Sequence, residues 1–191
     1  GAMFGVVPKS IWQRTNPADE HNLCSWAMRS LVIKESNRVI LVDNGLGNKQ
    51  SEKFFHHYFL HGEDSLQKGL HNLDIIEDEV TDMMLTHLHF DHCGGGIKYE
   101  GENLVPTFKN AKYWSNEAHW AWATEPNSRE KASFLSENIL PMQNSGHLNF
   151  IPLNDQSNMP FEILFVDGHT DKQMLPKIKY KGHTLVFVAD L

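Results

Sequence analysis

Cysteine is nearly missing from this chain of 191 residues: only Cys24 and Cys93 are present, and neither belongs to a Cys-x-x-Cys pair. Two such residues cannot build a disulfide framework, and small reduced side chains suit a reducing compartment, so a cytoplasmic setting is expected. Positive charge is also in short supply, with 17 Lys and Arg against 24 Asp and Glu and a net charge of −7. That balance argues against a general nucleic-acid or anionic-membrane surface, since both attract basic patches, and leaves room for a locally positive pocket. No apolar run approaches the ~20 residues of a membrane span. The opening Gly1-Ala2-Met3-Phe4 lacks the basic and apolar regions of a signal peptide, and Gly1-Ala2, with or without Met3, reads as the remnant of tag removal. Internal repeats and low-complexity tracts are absent. The remaining composition, 40% hydrophobic and 21% charged, is that of an ordinary globular chain. Its length suffices for a single domain, 1–191, with a real core, and is short for two.

One stretch is dense in chemistry: Thr86-His87-Leu88-His89-Phe90-Asp91-His92-Cys93-Gly94-Gly95-Gly96. Four metal-capable side chains, His87, His89, Asp91 and His92, fall within six positions and run almost directly into three glycines. Met83-Met84-Leu85 upstream reads as the end of a short buried strand, so the cluster sits at a strand's carboxyl end, where open α/β sheets hold their ligands. Alternate side chains of an extended segment face the same way, so His87, His89 and Asp91 can converge while His92 turns in with the loop. Imidazole nitrogen is the usual ligand for zinc, and a carboxylate completes a borderline-hard site. Two further strand ends carry ligand-type residues. Residues 161–166 lead to Asp167-Gly168-His169-Thr170, and Leu185-Val186-Phe187-Val188-Ala189 delivers Asp190. Six candidates are too many for one closed tetrahedral site and enough for two metals sharing a bridge.

The run from Thr86 to His92 resembles the signature of the metallo-β-lactamase-fold hydrolase superfamily, and Gly168-His169-Thr170 with Ala189-Asp190 extends the resemblance over nearly the whole chain. The resemblance implies an α/β fold, the four-layer αββα sandwich of that family, and a ligand assignment that the spacing only permits. His87, His89 and His169 match the ligands of a first metal, Asp91 and His92 those of a second, and Asp190 the bridging carboxylate. Asp91 is also the expected catalytic residue, accepting a hydrogen bond from the attacking hydroxide. Asp43-Asn44-Gly45, after an early strand, is similar to the family's Asp-x-Gly turn beneath the metal loop. Asp43, Gly45 and Gly94 are expected to support the ligands rather than bind metal. Most dinuclear members carry one more His beyond the strand that ends at Asp190, where this chain has no residues. The fold's second half is thus expected to be incomplete, through truncation or proteolysis, and the apolar face left uncovered to favour a homodimer.

Neutral imidazoles with two carboxylates and no thiolate suit zinc and tolerate iron, manganese or cobalt. Two zinc ions are expected in a full-length chain, or one in this form. The implied activity is that of a metal-dependent hydrolase whose metal-bound hydroxide attacks an ester, lactone, thioester or phosphoester in a small-molecule substrate, with neither nucleic acid nor membrane as partner. His89 stands where the oxygen-reducing di-iron members usually carry Glu, which favours hydrolysis over redox chemistry. Asp190 stands where the β-lactamases with a Cys ligand carry it, which argues against antibiotic hydrolysis. The long segment between His92 and His169, with Trp120 and Trp122, is similar in length and composition to that of lactonase and organophosphate-hydrolase relatives, and could wall a pocket. His119 within it is a candidate for substrate contact; the substrate-binding residues are otherwise unknown. Two alternatives stay open: a mononuclear iron oxidoreductase, of thiol-adduct dioxygenase type, on His87, His89 and His169; and an inactive truncated metal-binding fragment.

The rest of the chain reads as scaffold. Residues 30–34 and 38–42 form a hairpin around Glu35-Ser36-Asn37. Helices are expected over 50–60, 64–70, 117–124 and 129–140, the last stopping at Pro141. Strands are expected over 111–114, 161–166, 173–180 and 184–189, the last buried because it is so apolar. His56, His57 and His61 lack a carboxylate partner at metal spacing and read as solvated.

Overall fold

The computed structural model describes residues 4–191, so the tag remnant read at residues 1–3 lies outside the described residues. Its first half contains α1 (Lys9–Trp12), β1 (Leu31–Glu35), β2 (Arg38–Val42), α2 (Glu52–Tyr58), α3 (Leu66–His71), β3 (Asp82–Met84) and α4 (Phe90–Cys93). There follow β4 (Ile97–Glu100), β5 (Asn103–Pro106), β6 (Lys112–Ser115), α5 (Glu117–Thr124), α6 (Ser136–Asn144), β7 (Leu148–Phe150), β8 (Glu162–Val166), β9 (Gln173–Tyr180) and β10 (His183–Val186).

The two β-branched runs pair antiparallel as β1 and β2, with Ser36 at φ 50° closing the turn between them. β2, β3, β6 and β7 then lie parallel, giving a five-stranded sheet of order β1-β2-β3-β6-β7. A second, antiparallel sheet has the order β10-β9-β8, and β4 with β5 forms a separate hairpin. Why residues 39–42 of β2 and Met83-Met84 of β3 are continuously apolar is clear from what covers them. Leu41, Met83 and Tyr113 face a cluster with Ile139 and Met142 of α6 and Ala123 of α5. Ile40, Val42, Met84 and Trp114 face the other way, onto Ile163 of β8 and Met174 of β9. Strands buried on both faces need an apolar residue at every position, not at alternate ones. A helix layer, the five-stranded sheet and the three-stranded sheet are thus three of the four layers of the sandwich; the described residues contain no helix after β8. None of the described helices is long and apolar enough to cross a membrane.

Two expectations require correction. The helix read over 129–140 begins only at Ser136 and passes through Pro141 to Asn144. Pro141 has no N–H for the carbonyl of Glu137, which costs one helical bond. It shares the buried face of α6 with Asn138 and Met142, so packing outweighs that loss. The apolar run at 184–189 is not a buried strand. β10 stops at Val186 on the sheet edge, with Leu185 46% and Val188 47% exposed. Only Phe187 of that run packs against the cluster between the sheets. Apolarity shows that a strand has something to bury, not which layer lies over it. The β4–β5 hairpin and the three-residue β7 had no reading from the sequence.

Candidate metal centre

β3 ends at Met84, and the Leu85 N–H bonds the Trp114 carbonyl at 3.1 Å before the chain leaves the sheet. The backbone is still extended at His89 (φ −66°, ψ 151°), after which α4 makes a single turn. The period of two puts the His87 and His89 rings on one side, their centroids 4.6 Å apart, and the turn of α4 brings the His92 ring to 4.0 Å from His87. The loop after β2 lies directly against the glycine run, with the Asn44 N–H bonded to the His92 carbonyl (2.9 Å) and the Gly95 N–H to that of Gly45 (3.0 Å). A Cβ on Gly94 would stand 2.1 Å from the Leu46 carbonyl oxygen, and one on Gly95 2.2 Å from that of Asn44. Only glycine permits this approach; Gly45, at φ 72°, supplies the turn.

The second sheet contributes the remaining donors. Past β8, the His169 ring lies 5.1 Å from that of His87 and 4.7 Å from that of His89. The two sheets are stitched together here by the Met174 N–H, which bonds the Thr86 carbonyl at 2.8 Å. Two donor groups result, His87–His89–His169 and His87–His92–Asp190, with the ligand atoms of each within 4.8 Å of one another. Asp190 reaches both: Oδ1 is 3.3 Å from His92 Nε2 and Oδ2 is 3.4 Å from His169 Nε2. Asp91 belongs to neither group, its carboxylate standing 3.8 Å from His92 Nε2. Burial raises its pKa above the ordinary carboxylate value.

Burial, reinforced by neighbouring imidazoles, pushes His87 well below the usual imidazole range and His89 down to about 3. Both are therefore neutral, each with a lone pair to give. His92 behaves oppositely. Burial works against its charge, yet hydrogen bonds to Asp190 and Asp43 raise it to about 10. Asp43, only 3% exposed, explains much of this. Its Oδ1 accepts the Thr86 N–H, and its Oδ2 accepts both the Thr86 hydroxyl and His92 Nδ1, all at 2.8 Å. His92 is left with Nε2 alone facing Asp190. His87 Nε2 and His89 Nε2 are buried with no hydrogen-bond partner among the described residues. Orphaned buried donors and acceptors are rare and costly, and a cation among these rings would use the His87 lone pair. A thiolate-free set of imidazoles and carboxylates fits zinc.

His119 is not a substrate contact. It is 1% exposed, its Nε2 accepts the Leu88 N–H at 2.9 Å, and its Nδ1 bonds the Asp171 carbonyl at 2.6 Å. It braces the metal loop from behind. His56, His57 and His61 are exposed and lie outside both donor groups. Trp120 and Trp122 are partly buried against the core, and their segment reaches the site elsewhere. The Phe134 ring lies 4.7 Å from His89, the Phe90 N–H bonds the Ser133 carbonyl at 2.9 Å, and Glu130 stands 3.8 Å from His89 Nε2. Glu130, Ser133 and Phe134 were not singled out from sequence, where they fall within the stretch read as a helix over 129–140 and carry no motif.

The family model described as the Metallo-beta-lactamase superfamily matches residues 29–191. The chain belongs to the metallo-beta-lactamase superfamily. Among solved structures of this superfamily fold, a probable metal-dependent hydrolase from Staphylococcus aureus is 26% identical with a TM-score of 0.84, covering 97% of this chain and 66% of its own. AbOPH, a hydrolase in the beta lactamase superfamily, is 21% identical at a TM-score of 0.70, covering 95% of this chain and 63% of its own. AidC, a dizinc quorum-quenching lactonase solved with the product N-hexnoyl-L-homoserine, is 20% identical at 0.63, covering 83% of this chain and 54% of its own. The last two likenesses show the fold. The chain spans less than two thirds of the length of each of these structures. No curated protein sequence matches it.

Proposed function

We propose that the chain carries the two-metal centre of a hydrolase acting on an ester, lactone, thioester or phosphoester bond of a small molecule. The observation that carries this reading is Asp190, whose two oxygens lie 3.3 Å from His92 of its own donor group and 3.4 Å from His169 of the other, where a shared ligand would stand. His87, His89 and His169 would hold one zinc, Asp91 and His92 a second, and Asp190 both. Bound there, zinc would supply a nucleophile from water at neutral pH and polarise the bond to be cleaved. The chain's own residues do the rest. Asp91, beside His92, accepts a hydrogen bond from the attacking water and sets its direction. Asp43 occupies Nδ1 of His92, so that only Nε2 is offered as a ligand. His87 and His89, kept neutral by burial, bind without first losing a proton.

Because the ligands come from both sheets, residues 4–191 act in this proposal as one domain. Two free cysteines suit the cytoplasm. The exposed edge strand β10 is where a homodimer would form, and light scattering that finds only monomer at high concentration removes that part of the reading.

The test is elemental analysis of the purified protein together with a panel of lactones, aryl esters, thioesters and phosphotriesters. Two zinc ions per chain and a turnover abolished by chelator and restored by zinc are expected. One iron per chain with oxygen uptake would replace this reading with an oxidoreductase on His87, His89 and His169. Metal-dependent turnover of no member of the panel would also overturn it.

A further inference from the structure

Glu130 lies in the turn between α5 and α6, outside both donor groups, yet its Oε2 gathers three donors. Trp122 Nε1 bonds it at 3.0 Å and the Thr170 hydroxyl at 2.8 Å, while His89 Nε2 stands 3.8 Å away. His89 Nε2 is the buried atom left without a partner. The other nitrogen of that ring, Nδ1, lies 2.9 Å from His169 Nε2 and so points into the donor group.

A neutral imidazole has one N–H and one lone pair, and the partner of one nitrogen decides the role of the other. Were the proton on Nδ1, the Nε2 lone pair would face a carboxylate oxygen in a buried site, which is repulsive. With the proton on Nε2, it points at that oxygen, and Nδ1 offers its lone pair beside His169. Trp122 Nε1 and the Thr170 hydroxyl both donate to Oε2, so that oxygen is committed as an acceptor on the side it turns to His89. A small rotation of the ring, closing roughly 0.6–1 Å, completes the hydrogen bond.

We propose that Glu130 is a positioning residue that holds His89 in the Nε2–H form, with Nδ1 directed at the metal, and that through Thr170 it ties this ligand to the loop carrying His169. The inference rests on the metal centre proposed above. It also gives the segment between His92 and His169 a function at the metal: Phe134 packs the His89 ring, Ser133 holds the Phe90 N–H, and Glu130 fixes the tautomer.

Two measurements test it without using turnover. Long-range proton–nitrogen NMR of imidazole-labelled protein, with the His89 signals assigned by their loss in His89→Gln, reads the tautomer in the metal-free and zinc-loaded chain. Nε2–H is expected in both, and Nδ1–H in either overturns the proposal. Zinc affinity, by competition with a chromophoric chelator, is then compared in Glu130→Leu and Glu130→Gln. The Leu variant should bind about 10–100-fold more weakly. The Gln variant, whose amide oxygen can still accept from all three donors, should lose less than about tenfold. Thr170→Val, which cuts the tie to the loop carrying His169 and leaves Glu130 beside His89, should weaken zinc binding by less than Glu130→Leu, about three- to tenfold, and parental affinity in it would overturn the tie through Thr170. Parental zinc affinity in Glu130→Leu would show Glu130 to be a purely structural anchor and overturn the proposal. If that variant does not fold, the tautomer in the parent chain decides. A parent that binds no zinc removes the proposed function, while the metal-free tautomer still decides the role of Glu130.

Discussion

Asp43→Asn isolates the charge beneath the metal loop. Asp43 sits at φ 56°, a left-handed conformation that Asn tolerates as well as Asp, so the change adds little backbone strain. What it removes is one acceptor. Asn can keep its oxygen on the Thr86 N–H, but its amide nitrogen then faces the Thr86 hydroxyl and His92 Nδ1, which both now donate to Oδ2. The hydroxyl can turn and accept; protonated His92 cannot. Breaking a buried ion pair outright costs about 3–5 kcal/mol, but Asp190 still faces His92 from the other side, at 3.3 Å. The expected loss in chelator-treated protein near pH 6 is therefore about 2–4 kcal/mol, or a fall of roughly 5–15 °C in Tm. Its pH dependence has a definite sign. His92 is raised from 6.5 to about 10, so its contribution is complete below pH 6.5 and disappears as the pH rises through about 10. The difference between parent and variant should shrink to about 1–2 kcal/mol near pH 10, the remnant being the exchange of charge-assisted bonds at Thr86 for the weaker neutral ones of Asn. Urea denaturation of both proteins at the two pH values is the assay. An equal difference at both, or none at either, refutes the view that Asp43 and His92 are a buried pair.

Gly94→Ala should cost about 3 kcal/mol or more by urea denaturation, because the new Cβ meets the Leu46 backbone oxygen and not a side chain that can swing away. Asp82, which accepts from Arg38, Trp114 Nε1 and Thr81 although burial opposes its charge, has a pKa held below 3.8; its contribution is complete above that value and lost as the pH falls through the folded one. Asp82→Asn should therefore lose about 1–3 kcal/mol at pH 7, and the gap to the parent should narrow at pH 3, as read by tryptophan fluorescence in urea. His87→Leu removes an orphaned buried nitrogen and strands no donor, since the Thr86 hydroxyl keeps Asp43; metal-free stability should stay within about 1 kcal/mol of the parent while zinc affinity falls at least 100-fold.

Legibility from sequence followed how locally each feature is encoded. The β1–β2 hairpin was readable because two β-branched runs flank a short polar turn, and β3 because the metal cluster begins where it ends. His87, His89 and His92 announce themselves by adjacency. Glu130 does not: its meaning depends on three donors from 122, 170 and 89, which only the fold brings together. His119 was misread for the converse reason, since sequence cannot show that both of its nitrogens are committed to backbone groups of other segments. Pro141 signals a helix stop by local rules, and tertiary packing overrides them. The 184–189 run shows the same limit, for hydrophobicity measures what a residue would gain by burial, not whether anything is there to cover it.

The site is therefore a property of the packing between two sheets more than of one motif. The motif loop contributes His87, His89, Asp91 and His92 from the end of β3, whereas His169 and Asp190 follow β8 and β10. What sets the distance between these groups is the inter-sheet cluster of Ile40, Val42, Met84 and Trp114 against Ile163 and Met174, with the Met174 N–H on the Thr86 carbonyl as the contact nearest the ligands. Packed cores do not deform continuously, so a ligand set spanning this one is held to a narrow range of spacings. A cluster of histidines on a single loop could follow a metal as the loop moved. Here the second sheet must be in place before Asp190 can stand between His92 and His169, and the same burial that joins the sheets keeps His87 and His89 neutral. Folding thus keeps these two ligands neutral well below the ordinary imidazole value, and the energy comes from apolar contacts far larger in number than the site itself.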